Sequence, residues 1–142
     1  MHLKKLLIYC FIPLLIGGII YIGFRTESLL MFKWFKYIGI IDFIKLYRNL
    51  VNKIDLPEFL IFSFPNGLWT FSFLMFINIT ATNYIRKILL SFVIFITIGF
   101  EMFQGIKLIP GTFCFIDTLT NIFFIILSSK IYNKMRWQNE TI

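Results

Sequence analysis

Alanine is almost missing from this chain: Ala81 is the only one in 142 residues. Histidine is as scarce. His2 stands alone, so no Ser-His-Asp set can be assembled. The two cysteines, Cys10 and Cys114, have no metal-ligand spacing. The expected fold sets them near opposite membrane faces, beyond the roughly 7 Å Cα separation a disulfide tolerates. There is no glycine-rich phosphate loop, and neither a cofactor nor a metal is expected. Charge is the largest deficit. Asp, Glu, Lys and Arg make up 15% of the chain, against about 25% in soluble domains. A soluble domain of this size must cover its surface with polar groups, and this chain lacks them. That excludes an ordinary soluble globule, a disordered tail and a disulfide-framed secreted domain. It also excludes a classical nucleic-acid binder, although the net charge is +7. In a membrane protein, surplus Lys and Arg reflect anchoring rather than phosphate binding.

What the chain has instead is apolar length. Hydrophobic residues reach 58%, and the mean hydropathy is +0.82. Nineteen Phe residues fill lipid-facing positions rather than a stacking surface. Leu6 to Phe24 is an uncharged run of 19 residues, about 28 Å as a helix and enough for a hydrocarbon core. Lys4 and Lys5 precede it, but no A-x-A-type cleavage site follows, so it reads as an uncleaved anchor kinked mildly at Pro13. The expected fold is all-α integral membrane, a single domain over residues 1–142. Four transmembrane helices are placed at about 6–24, 66–80, 88–104 and 113–129. The first loop is interrupted by charge and cannot span cheaply. From Ile40 to Lys53 it segregates: Asp42, Lys45, Arg48, Asn49, Asn52 and Lys53 on one arc, Phe43, Leu46, Tyr47 and Leu50 on the other. That pattern predicts an amphipathic interfacial helix over about 40–53.

Lys4, Lys5, Arg86, Lys87, Lys130, Lys134 and Arg136 flank the spans on one side, which predicts cytoplasmic N- and C-termini. Arg25, Lys33, Lys36, Lys45, Arg48 and Lys53 then fall in the long outer loop. Trp34, Trp69 and Trp137 sit near the interfaces, where Trp anchors. Asn78-Ile79-Thr80 and Asn139-Glu140-Thr141 match glycosylation sequons, but fall on the cytoplasmic side and read as chance.

Five of the seven acids lie in the first loop or the tail. Glu101 and Asp117 lie inside predicted spans, each about one turn from the outer end of its helix. A short hairpin makes these helices antiparallel neighbours, so the two carboxylates share a depth. Thr97, Glu101 and Gln104 form one stripe. Asp117, Thr120, Asn121, Phe124 and Ser128 form another, and Asn66, Trp69 and Thr70 begin the second span on the same side. Two readings stand side by side: an outward-facing polar pocket, or helix-to-helix hydrogen bonding that glues the bundle.

Glu101-Met102-Phe103-Gln104, Pro110-Gly111-Thr112-Phe113, and Asp117 followed by Asn121 together resemble the VanZ-like membrane family. That family pairs E-x-x-Q at one helix end with a Gly-containing loop and D-x-x-x-N in the next helix. The resemblance covers roughly residues 57–129. Asn66 stands where the family usually has Asp, Trp69 where many members have His, Cys114 where Asp often follows the GTF string, and Phe124 where Gly is common. The resemblance implies a multi-pass protein of the bacterial cytoplasmic membrane with an envelope role of the glycopeptide-resistance type. The expected function is binding rather than catalysis: a pocket of Glu101, Gln104, Asp117, Asn121, Asn66 and Trp69 for a lipid headgroup, cell-wall precursor or amphiphilic antibiotic. Alternatives are a membrane enzyme acting on a lipid-linked substrate with a carboxylate base, a small ion-coupled transporter, and a structural subunit of a membrane complex. The expected partners are the lipid bilayer and such an amphiphile, with a homo-oligomer or membrane complex open and nucleic acid excluded.

Overall fold

The computed structural model describes residues 2–109 and 112–140, with the side chains of 2 and 138–140 left aside. Pro110 and Gly111 of the family-like string, and Thr141 of the second sequon, lie outside the described residues. Among the described residues every regular element is a helix. In chain order these are α1 (His2–Leu6), a π turn (Leu7–Phe11), α2 (Ile12–Phe24), α3 (Leu30–Ile38), α4 (Ile41–Val51), α5 (Glu58–Phe62), α6 (Phe64–Thr80), α7 (Asn83–Gly105) and α8 (Phe115–Glu140).

Four stretches are long and apolar enough to cross a membrane: Leu3–Phe24, Glu58–Thr80, Asn83–Gly105 and Phe115–Trp137. The chain is thus a multi-pass membrane protein by helix length and composition. The second stretch starts at Glu58, well before residue 66. Pro57 stands before the first turn of α5 and Pro65 in the first turn of α6, where the missing N–H costs no hydrogen bond. Ser63 joins the two helices in helical geometry, its N–H bonded to Phe59 O at 3.0 Å.

Pro13 explains the π turn. Proline has no N–H to give the carbonyl one turn back, and the helix widens at that point, closing with Ile12 N–H on Leu7 O. The Cys10 carbonyl accepts the Ser72 hydroxyl of α6 at 2.6 Å. A neighbouring helix thus ties its hydroxyl to the backbone of the widened turn.

α6 is the central helix. Leu68, Phe71 and Met75 pack with Cys10 of the π turn and with Phe124 and Met135 of α8. Gly67 makes room for this: a Cβ there would stand 2.8 Å from Thr120 Cγ2 and would overlap the Phe124 ring. Gly17 does the same on the other side, where a Cβ would stand 2.6 Å from Trp69 Nε1. Small residues let membrane helices approach closely where lipid gives no hydrophobic drive between them.

α4 packs beside the last turns of α2, and α3 packs on α4. Gly39 ends α3 in the left-handed conformation at φ 84°, and Ile40 N–H bonds to Phe35 O at 3.0 Å. Only Ile44 is buried on α4, while Phe43, Leu46 and Leu50 are exposed. Arg48, on the charged arc of the sequence pattern, turns inward. Its Nη1 donates to the carbonyls of Ile22 and Arg25, both at 2.7 Å, and its Nε pairs with Glu27 at 3.5 Å. The end of α2 has orphan carbonyls, and a cation there satisfies both the hydrogen bonds and the helix dipole. Tyr47 OH donates to Ile19 O at 3.0 Å. Burial pushes its phenol above the ordinary value.

Candidate functional site

α7 inverts the usual rule of burial. Along its 23 residues the one buried side chain is Glu101, the helix's only acid, while Phe92, Phe95, Phe100 and Met102 are exposed. For a helix in lipid this is the expected polarity, apolar out and ionisable in. α8 repeats it: Asn121 and Ser128 are buried, whereas Phe115, Ile116, Phe123 and Ile126 are exposed.

Glu101 lines a cleft of about 350 Å³ with Tyr21, Arg25, Phe62, Asn66, Trp69, Gln104, Thr112 and Asp117. Helix geometry sets them at one level. Arg25 follows the last residue of α2, Asn66 and Trp69 lie in the first turns of α6, Glu101 and Gln104 in the last turn of α7, and Asp117 in the first turn of α8. The α7 end is fixed by a full C-terminal cap. Lys107 N–H bonds to Gln104 O at 3.0 Å and Leu108 N–H to Phe103 O at 2.8 Å, with Lys107 left-handed at φ 59°. Among the sequence candidates, Asn66, Trp69, Glu101, Gln104 and Asp117 therefore share one cavity.

Asn121 does not line it. Asn121 is 1% exposed, and its Oδ1 accepts the Thr70 hydroxyl of α6 at 3.2 Å, while its Nδ2 is buried without a partner. That is glue between α6 and α8. The carboxylates are held differently. Glu101 Oε2 accepts the Cys114 N–H at 3.4 Å. Asp117 Oδ1 accepts the Ser63 hydroxyl. A carboxylate offers about four acceptor positions, so both retain capacity that the protein does not fill.

Arg25 and Ser63 are the residues that sequence reasoning missed. The sequence pattern places Arg25 in the outer loop. Its guanidinium lies over the rings of Tyr21, at 5.1 Å, and Phe62, at 4.8 Å, and its Nη2 donates to Phe62 O at 3.4 Å. Its position as the first charge after the apolar run was the available signal. Ser63 carried none. A second hollow of about 260 Å³ adjoins the first, sharing Arg25, Phe62, Thr112 and Asp117 and adding Glu58, Ser63, Cys114 and Ile116. Among the described residues no group of three or more His, Cys, Asp or Glu side chains is placed to hold a metal ion.

The far end of the bundle is built otherwise. Arg86, at the start of α7, donates to Tyr132 OH of α8 and to Asn83 Oδ1 at 2.9 Å. Two hollows elsewhere on the surface are apolar: one between the π turn and α6, and one along α7 beside Phe113. Of these cavities, the two that share Arg25 and Asp117 offer charges of both signs, with Glu101 in the first and Glu58 in the second. Fold and cleft together define a multi-pass helical membrane protein with a polar chamber at one end. No protein-family model, curated protein or solved structure matches this chain.

Proposed function

We propose that this chain is a VanZ-like envelope protein of a bacterial cytoplasmic membrane that holds the polar part of an amphiphile. The amphiphile is a lipid headgroup, a cell-wall precursor or an amphiphilic antibiotic, and the cleft is its seat. The observation that carries the reading is that Asn66, Trp69, Glu101, Gln104 and Asp117, drawn from α6, α7 and α8, line one cavity with Arg25 at the end of four apolar helices. Burying an acid at that level is costly unless it is used. The tilted Tyr21 and Trp69 rings, 5.0 Å apart, supply an amphipathic wall of the kind found at headgroup depth.

In this reading the cleft faces outward and both termini are cytoplasmic. Lys4, Lys5, Arg86, Lys87, Lys130 and Lys134 then gather at the inner face. α3 and α4 lie on the outer surface as an interfacial pair. Their exposed Tyr37, Ile38, Phe43, Leu46 and Leu50 enter the acyl boundary, and Lys33, Lys36, Lys45 and Lys53 meet lipid phosphates.

The test is genetic. A Glu101→Gln, Asp117→Asn double variant is returned to a deletion strain, and its membrane abundance is matched to the wild type. The expected result is loss of the wild-type gain in glycopeptide tolerance. Full complementation by the double variant contradicts the reading.

A further inference from the structure

The cleft holds charges of both signs that do not neutralise one another. Among the described residues the ion pair at this end of the molecule is Arg48 with Glu27, and Arg25 forms none with Glu101 or Asp117. Each of the three is left with unused bonding capacity. Arg25 Nε is buried and has no hydrogen-bond partner. Its guanidinium lies over the rings of Tyr21 and Phe62, and among the described residues its one hydrogen bond is the long one from Nη2 to Phe62 O at 3.4 Å, so the Nη nitrogens keep donors for an anion. Glu101 is 8% exposed and receives one long bond, from the Cys114 N–H. Asp117 receives one, from Ser63.

These facts limit the chemistry of an occupant. A purely anionic ligand satisfies Arg25 but meets two carboxylates in the same chamber. A purely cationic ligand meets Arg25. A ligand carrying an anionic group and a cation on a short linker satisfies all three. The cation must also donate hydrogen bonds, because the open positions on Glu101 and Asp117 are acceptors. A primary ammonium has three N–H donors, whereas a trimethylated one has none. The anion must accept a fork of N–H donors, which phosphate does well. The two joined hollows, about 350 and 260 Å³, have room for both groups and the linker between them.

We infer that the cleft recognises a phosphoethanolamine-type zwitterion, phosphate on Arg25 and primary ammonium between Glu101 and Asp117. This deepens the proposed function and rests on that reading of the site. The shared chemistry has two sources, phosphatidylethanolamine in the bilayer and a soluble phosphoethanolamine.

The experiment uses the full chain in detergent with Trp34→Phe and Trp137→Phe, so that Trp69 in the cleft is the remaining indole and its emission reports occupancy. Four probes are titrated below their micellar concentration: dihexanoyl phosphatidylethanolamine, dihexanoyl phosphatidylcholine, dihexanoyl phosphatidylglycerol and glycerophosphoethanolamine. The ethanolamine lipid is expected to bind at least tenfold tighter than the choline and glycerol lipids. Glycerophosphoethanolamine matching it identifies a soluble ligand, and weaker binding identifies the bilayer lipid. Arg25→Gln is expected to weaken the ethanolamine lipid at least tenfold, and Glu101→Gln with Asp117→Asn to erase the preference over choline. The wild-type lipid series decides the matter even if a variant fails to fold. Equal or tighter binding of the glycerol or choline lipid overturns the inference and leaves the headgroup cleft standing. No change in Trp69 emission with any probe overturns the inference and removes the physical support for the cleft reading with it.

Discussion

Arg25 sits at the end of an apolar helix, partly out of water, and its surroundings offset the cost in two ways. The rings of Tyr21 and Phe62 face its guanidinium, and the Phe62 carbonyl accepts one N–H. Cation–π contacts contribute about 0.5–1 kcal/mol at exposed sites and about 2 when desolvated. Asn121 illustrates a different use of polarity. It is sealed between α6 and α8, so its bond to Thr70 stabilises the bundle and leaves the cleft untouched. A double-mutant cycle with Thr70→Val and Asn121→Leu should return a coupling of about 0.6 kcal/mol, the average for hydrogen bonds between membrane helices, whose maximum is about 1.7. Unfolding in mixed micelles measures it. The Trp69 response to amphiphiles should be unchanged in the same variants. A coupling near zero, or a lost Trp69 response, contradicts the division between glue and site.

Among the elements, α4 does more than lie against the bundle. Through Arg48 it caps α2 at Ile22 and Arg25, which fixes the turn from which the Arg25 side chain enters the cleft. Arg48→Met keeps the stem and removes both charge-assisted bonds and the ion pair to Glu27. Hydrogen bonds to charged groups contribute about 1.5–3 kcal/mol each, so losing two is expected to lower stability by about 3 kcal/mol or more, measured by the same unfolding assay. Stability within a few tenths of wild type would show that α4 is not what holds the end of α2. The four long helices were legible in the sequence because a bilayer forces each span to be a long apolar run. The start of the second at Glu58 was not, because Asp55-Leu56-Pro57-Glu58 and Pro65-Asn66-Gly67 read as breaks on either side of a short apolar run, and only the packed bundle makes Pro57 and Pro65 helix starts. The inward turn of Arg48 was also hidden. A helical wheel separates charge from apolar surface, but it does not know that orphan carbonyls of another helix lie on the charged side.

At the scale of the whole molecule, polarity is reversed relative to a soluble domain. Phe, Ile and Leu cover the outside, and Glu101 and Asp117 turn toward the cleft. That reversal explains why Glu101 and Asp117 stood out in a chain with so few charges, and why Asn66, Trp69 and Gln104 could be grouped with them from depth alone. Depth is set by residue count along each helix, at about 1.5 Å per residue, and is therefore readable from sequence. Azimuth is not, since it depends on which helices touch. The placement of Asn121 against Thr70 rather than in the cleft, and the entry of Arg25, are both matters of azimuth.

The central claim is that the chamber of Arg25, Glu101 and Asp117 holds the polar part of an amphiphile. It is tested most directly by reconstituting the full chain in liposomes with a phosphatidylethanolamine analogue that carries a photoreactive diazirine in its headgroup. Irradiation is followed by mapping of the adducts by mass spectrometry. The account predicts adducts concentrated on Tyr21, Trp69, Glu101 and Gln104, competed away by excess unlabelled phosphatidylethanolamine. Adducts scattered over the exposed Phe residues of α7 and α8, with none in the cleft and no competition, would contradict it.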